Sequence, residues 1–445
     1  MESAGNTMSS AAIKRPYLWL TAAASLKKLN VLSREQAIAA ADQCVVSGTS
    51  FCTFLLVARG ASREDVGSFA LTISLFGVLL VLQHAAIATP YFVQQHASGE
   101  SEPDRAFAAL ISSAALCAVS LVLAAVLGVA HIFSPPVVLA VLVTAPALIL
   151  KELVRDMDFA HLNLRRAIRL DVSAAFLQFL ALACLYGTGA LSAASALWSM
   201  AAGNGVVAVM ALYARRTEFQ GSKHRLPELL RESWSLGKWL LVGRLFVSVQ
   251  GYAALWISFF LAGSALTGVY AACASLAALA NPLIFGLYNF FAPRSALVLK
   301  KSGQAALLSC AVRDALLLAF TLIPFLVVLA VLGRPLLEFV YPKLETESAA
   351  VVLCLLAAAS AVLAMGLPAA NGLTILQRGR AVAALAFLGA AVTTVLSCLL
   401  IPVAGLSGAG AAALLGAGFV SSARWISFFQ VSGRNPFDLV RRVAR

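Results

Sequence analysis

About twelve apolar stretches divide this 445-residue chain, and each approaches the ~20 residues a helix needs to cross the hydrocarbon core of a bilayer. They run over residues 36–57, 66–89, 106–130, 136–150, 170–186, 192–213, 239–261, 266–291, 315–332, 347–367, 381–403 and 407–430. Backbone groups in lipid have no water to bond, so a chain of this kind must be helical wherever it spans. Hydrophobic residues make up 61% of the chain and charged residues 12%, far from the balance of a soluble domain. The expected fold class is therefore all-α: a polytopic membrane protein of about 12 transmembrane helices.

Basic residues order these helices. Of the 33 Lys and Arg, 27 fall in the two tails and the even-to-odd gaps, and four (Arg59, Arg63, Arg334 and Lys343) in the odd-to-even gaps. The excess of Lys and Arg in cytoplasmic loops predicts that both termini are cytoplasmic. The net charge of +13 is thus an orientation signal along one membrane face, and it gives no reason to expect nucleic acid. Residues 16–26 have the look of a signal peptide, but the flanking Lys27 and Lys28 fit a retained segment at the headgroups. Seven of the eight cysteines lie within spans, with no metal-ligand spacing and no disulfide framework. No P-loop, G-x-S-x-G or H-E-x-x-H motif occurs, so no enzyme activity, metal or cofactor is expected.

The two halves match weakly. Gly67-Ser68-Phe69-Ala70 in the second span answers Gly268-Val269-Tyr270-Ala271 in the eighth, and Leu191-Ser192-Ala193-Ala194 in the sixth answers Leu406-Ser407-Gly408-Ala409 in the twelfth. Six spans per half is an even number, so the repeats are parallel and related by an axis along the membrane normal. The expected organisation is a cytoplasmic tail (1–35), an N-terminal six-helix lobe (36–213), a basic cytoplasmic linker (214–237), a C-terminal six-helix lobe (238–430) and a basic tail (431–445). A central cavity separates the lobes.

Ionisable groups inside spans are costly and mark candidate sites. Asp42 in the first span and Arg244 in the seventh stand at similar depth, opposite charges on pseudo-equivalent helices. They are candidates for cation coupling or gating, with Asp42 able to take H+ or Na+ and Arg244 an anionic head group; the alternative is that both snorkel to the interface. Arg424 is expected to snorkel from the twelfth span. The uncharged polar candidates for a substrate cavity are Gln43, Gln83, His84, Gln250, Asn281, Asn289 and Asn371, with interhelical hydrogen bonding as the plainer role. Pro90, Pro282 and Pro368 are candidate hinges. The gap from Lys151 to Asp171, with its mixed charges, reads as a cytoplasmic surface helix facing anionic lipid.

Several local patterns together resemble polysaccharide-transport flippases of the multidrug/oligosaccharidyl-lipid/polysaccharide exporter superfamily. They are Ala41-Asp42-Gln43 with Val46-Ser47-Gly48 and Phe51, Arg155 with Phe159-Ala160 and Arg165-Arg166, Gly237-Lys238-Trp239-Leu240, Gly268-Val269-Tyr270-Ala271 and Asn281-Pro282. The resemblance implies two V-shaped lobes that open alternately to the two sides of the bacterial inner membrane. It implies a lipid-linked oligosaccharide or polysaccharide precursor as substrate, coupling to a cation gradient, and a place in exopolysaccharide or surface-polysaccharide synthesis beside a polymerase and export machinery. In such relatives an acidic residue on the first helix binds the cation, where Asp42 stands, and cavity arginines meet lipid diphosphates, where Arg244 stands. A cation-coupled multidrug exporter of the same superfamily is the alternative within transport. A membrane-embedded glycosyltransferase or polymerase is the alternative of another class.

Overall fold

The computed structural model describes residue 38 and residues 41–95, 102–342 and 346–432, with the side chains of Gln95, Trp239, Asn289, Thr346 and Glu347 left out. The expected tails, and the charges on them, lie outside the described residues apart from a few positions at their edges. Every described element is a helix.

Six helices precede the midpoint: α1 (Ala41–Gly60), α2 (Arg63–Gln94), α3 (Glu102–Val129), α4 (Pro135–Ala160), α5 (Leu164–Gly187) and α6 (Ala193–Ala214). Beyond residue 225 the helical path continues with sharp reversals at Gly263 (φ 83°), Gly303 (φ 77°) and Gly405 (φ 55°). These left-handed backbone angles suit glycine, which has no Cβ to clash. They divide the path into α7 (226–262), α8 (264–302), α9 (304–340), α10 (Ser348–Ile375), α11 (379–404) and α12 (406–432). The described residues therefore form twelve helices of a multi-pass membrane protein, in two six-helix lobes. The segment expected to be a linker is only partly loop, because α7 already begins at Leu226.

The repeat is visible in hydrogen bonds. α4 ends with Leu162 at φ 57°, and α10 with Gln377 at φ 58°. In the first, His161 N–H donates to Met157, Leu162 to Phe159 and Asn163 to Asp158; in the second, Leu376 donates to Gly372, Gln377 to Thr374 and Arg378 to Leu373. The two helix ends share this pattern at matching positions of the two lobes; it is a common helix termination that also closes α3 at His131 and α5 at Gly189.

Packing divides the molecule by height. The upper end, which holds the odd-to-even turns, contains one continuous core drawn from both lobes, including Phe54, Phe69 and Leu71 of the first and Ala272, Leu276 and Leu353 of the second. In the lower half the larger cores belong to one lobe each, Ile87, Tyr91, Leu153 and Met157 in the first and Leu307, Ala369, Leu373 and Phe428 in the second, while the start of α7 packs across on the lower end of α2, where a Cβ on Gly237 would stand 2.8 Å from the Ala85 carbonyl oxygen. The upper seam is built on the repeat glycines. A Cβ on Gly67 would stand 1.9 Å from the Ser264 carbonyl oxygen, and one on Gly268 would stand 2.6 Å from the Arg63 carbonyl oxygen. Small residues let helix backbones meet closely, which is how helices associate where water drives nothing together. Arg59 Nε donates to the Val340 carbonyl (2.9 Å), and Trp256 Nε1 to Ser74 Oγ (2.9 Å), tying the lobes further.

Each expected hinge proline stands at a helix irregularity. Pro90 follows a π-helical turn at His84–Ala88, Pro282 follows a 3-10 turn at Ala278–Ala280, and Pro368 follows a turn at Gly366 between Thr346–Met365 and Leu367–Ile375.

Candidate functional site

A cavity of about 450 Å³ opens in the lower half between α2, α4 and α7. Gln83, His84 and Phe92 of α2, Glu152, Arg155, Asp156 and Phe159 of α4, and Arg244 of α7 line it. The π-helical turn begins at His84, so α2 is re-aimed at the height of the cavity; π-turns recur at functional sites for this reason.

Behind the cavity wall lies a buried ion network across α1, α4 and α5. Arg155 Nη2 donates to Asp42 Oδ2 at 2.7 Å, its Nε to Asp171 Oδ2 at 2.6 Å and its Nη1 to Glu152 Oε2 at 3.2 Å. Lys151 Nζ donates to Glu152 Oε1 at 2.7 Å and also pairs with Asp171. The Asp42 and Asp171 side chains are only 3% and 2% exposed. Charges this deeply buried are tolerable only when paired and hydrogen-bonded, and the planar guanidinium fork of Arg155 meets three carboxylates at once. Phe159 completes the cage, its ring centroid 4.9 Å from the Arg155 guanidinium carbon. Asp42 Oδ1 finds no hydrogen-bond partner among the described residues.

Arg244 does not pair with Asp42. It faces the cavity from α7, with Asp156 as its electrostatic partner, and Asp156 also stands 4.0 Å from His84 Nδ1. The level correspondence between Asp42 and Arg244 therefore becomes an indirect one, in which α4 supplies the partner for each.

The reading of Lys151–Asp171 as a surface helix is corrected. Lys151, Asp158 and Asp171 are buried, and α4 runs unbroken to Ala160. Lys151 and Arg155, counted above among the gap cations, sit inside a spanning helix. Asp158 pairs with Arg215, and Glu102 with His161, fastening the lower end of α4 to its neighbours.

The uncharged candidates divide. Gln83 is buried and donates from Nε2 to the Ile149 carbonyl at 2.8 Å, its Oε1 having no hydrogen-bond partner among the described residues, and His84 lines the cavity. Gln43 is exposed and donates to Ser47 Oγ on its own helix, away from the network. Gln250 lies against Gly389 of α11, and Asn281 is half-buried at the 3-10 turn of α8. Asn371 is buried in the second lobe, and the Asn289 side chain lies outside the described residues. Arg424 is 9% exposed, on α12 inside the second lobe.

Sequence reasoning missed Lys151, Glu152, Arg155, Asp156 and Asp171 as site residues. The signal was their interleaving of acids and bases at helical spacing, Lys151 and Glu152 one turn before Arg155 and Asp156, next to an apolar run.

No protein-family model matches the sequence, and no curated protein is similar to it at a significant level. Solved structures are similar in fold. The chain aligns with an inward-facing multidrug resistance MATE family transporter of the MOP superfamily at TM-score 0.73 and 11% identity, covering 88% of this chain and 94% of that one. An outward-facing structure of such a transporter gives TM-score 0.62 at 10% identity, over 90% and 95%. A MOP superfamily transporter from Pyrococcus furiosus, whose structure is described as having a binding pocket of reversed polarity, gives 0.64 at 12% identity, over 90% and 95%. The fold of this chain is thus similar to that of these solved structures over nearly its whole described length.

Proposed function

We propose that this chain is a flippase of the bacterial inner membrane, multi-pass with both termini cytoplasmic, that moves a lipid-linked oligosaccharide or polysaccharide precursor by alternating access. The observation that carries transport is the division of packing: a core shared by both lobes in the upper half, cores particular to each lobe below, and a charged cavity between α2 and α4 of the first lobe and α7 of the second. With the basic gaps at the lower end, this is the inward-open state, and the higher TM-score with the inward-facing transporter supports it.

Cation coupling runs through Asp42. A proton taken up on Asp42 Oδ1 neutralises the carboxylate, and its charge-assisted bond to Arg155 weakens to an ordinary one. Arg155 then rests on Asp171 and Glu152 alone, freeing α1 from α4. Na+ bound at the same oxygen competes with Arg155 for the carboxylate in the same way. Arg244, pointing into the cavity, meets the diphosphate of the lipid carrier. The product passes to a polymerase and export machinery.

The test is reconstitution in proteoliposomes with a fluorescent polyprenyl-diphosphate oligosaccharide, read by chemical quenching of the exposed leaflet. Gradient-driven flipping is expected from the wild type and not from Asp42→Asn, while the variant still inserts. Flipping by Asp42→Asn at the wild-type rate would remove the coupling role. A second reading, a cation-coupled multidrug exporter, is favoured by the carboxylates Asp156 and Glu152 in the cavity wall; gradient-driven efflux of ethidium without flipping of the glycolipid would select it.

A further inference from the structure

Charge does not balance at the cavity wall. Behind it two cations, Lys151 and Arg155, already serve three carboxylates, Asp42, Glu152 and Asp171. Asp156, one turn on from Glu152 along α4, is a fourth, with no arginine or lysine in contact. Its side chain is 13% exposed, accepts no hydrogen bond from a described residue, and has one basic contact among them, His84 Nδ1 at 4.0 Å. Arg244 is the complementary case. It reaches the same cavity from the second lobe and makes no ion pair with a described residue, and Asp156 is the carboxylate whose field reaches it.

Opposite charges thus face one cavity from different lobes, and while the cavity is open both are accessible to water. Closing the lower faces would expel that water. Arginine cannot shed its proton, so a sealed cavity holding Arg244 alone would bury an uncompensated cation, which proteins do not tolerate. A loaded carrier brings the anion with its cargo. An empty one has to find it in the protein, and Asp156 is the carboxylate in position.

We propose that Asp156 stands in for the anionic end of the cargo: with no cargo bound it pairs with Arg244 as the lower faces meet, and so permits the empty carrier to return. Cargo with an anionic group displaces it, because a second anion in the closed cavity would have no cation to match it. The displaced carboxylate has exits that a guanidinium lacks, since it faces His84 and can take up a proton from water. Cargo without an anionic group leaves the Asp156–Arg244 pair in place, which makes Asp156 a specificity-determining residue. This rests on the transport reading and on Arg244 as the residue that meets the cargo, and it adds the return half of the cycle.

Two assays separate the halves of the cycle in proteoliposomes holding the fluorescent polyprenyl-diphosphate oligosaccharide. Net flipping starts with glycolipid in one leaflet and needs the empty carrier to return. Exchange starts with equal total glycolipid in both leaflets and label in one, and needs only the loaded carrier. Asp156→Asn is expected to slow net flipping tenfold or more and exchange far less, with Asp156→Glu keeping more net flipping than Asp156→Asn. Equal slowing of both assays, or of neither, overturns the proposal.

The return step is also read without cargo, by spin labels at the exposed Arg165 and Arg380 of the lower faces under a cation gradient alone. The wild type is expected to populate a short distance and Asp156→Asn to lose it. Asp156→Asn combined with Arg244→Gln should regain it, since no cation is then left to bury. A wild type that stays open, or a double variant that behaves as the single one, overturns the proposal. Should the wild type move no glycolipid and yet close only while Asp156 is present, the pairing stands and the glycolipid reading falls.

Discussion

Asp42 and Arg155 are 113 positions apart in the chain and meet at 2.7 Å with little access to solvent, so Asp42 depends on Arg155 for its charge, while Arg155 is held by Asp171 and Glu152 as well. Residues in one ion network couple energetically by about 0.5–3 kcal/mol, whereas those without shared partners add within about 0.5 kcal/mol. A thermal-unfolding double-mutant cycle should therefore show coupling of about 1 kcal/mol or more between Asp42→Asn and Arg155→Gln. The cycle of Asp42→Asn with Arg244→Gln should show far less, and equal coupling in both would contradict the pairing seen here. Asp42 and Arg244 were legible in the sequence because a charge deep in an apolar stretch is conspicuous. Their partners were not, because the charges of α4 sit near its lower end, where a hydropathy reading takes any charge as solvated. Position along the chain shows how close a residue is to the interface, but not which way its side chain points, and α4 turns Lys151 and Asp158 inward.

At the scale of helices, α2 and α8 cross where two glycines of matching sequence face one another. The pseudo-two-fold axis runs between them: Gly268 presses on the backbone of Arg63 and Gly67, and Gly67 on that of Ser264. The repeat was readable, since glycine stands at corresponding positions of both halves; that these glycines meet at the axis was not, because a sequence match says nothing of how far equivalent positions lie from it. The sharp reversals at Gly263, Gly303 and Gly405 were not, because a glycine in an apolar run is equally a packing residue. Gly67→Ala would drive a methyl into the Ser264 carbonyl, and overpacking of this sort costs about 1–3 kcal/mol. The expected outcome is a lower melting temperature with greater labelling, by an impermeant thiol reagent added outside, of a cysteine introduced at Ser264 on a cysteine-free background. Gly251→Ala, where a Cβ meets nothing within 4 Å, serves as the neutral control. If the two variants melted and labelled alike, the seam would have slack that the backbone contacts exclude.

For the whole molecule, the decisive asymmetry is vertical. The shared upper core must be broken for the lobes to open above, and the lower faces must meet to replace what is lost; a packed interface is bistable and does not deform by degrees. The charged cavity lies below the shared core, where closure of the lower faces would seal it. The repeat supplies matched reporters: Arg165 and Arg380 are exposed at corresponding lower positions of the two lobes, and Gly189 and Gly405 mark corresponding upper turns. Spin labels at Arg165 and Arg380 should give a long distance in the resting protein that shortens when the cycle is driven by a cation gradient and substrate. Labels at Ala190 and Leu406, beside the upper turns, should lengthen under the same conditions. Antiphase changes of the two pairs are required by rocking lobes around a central site, and Asp42→Asn should hold both pairs at their resting distances if its carboxylate is the trigger. Parallel changes, or movement of one pair alone, would mean that the lobes deform internally, and the lower cores particular to each lobe would then have to come apart.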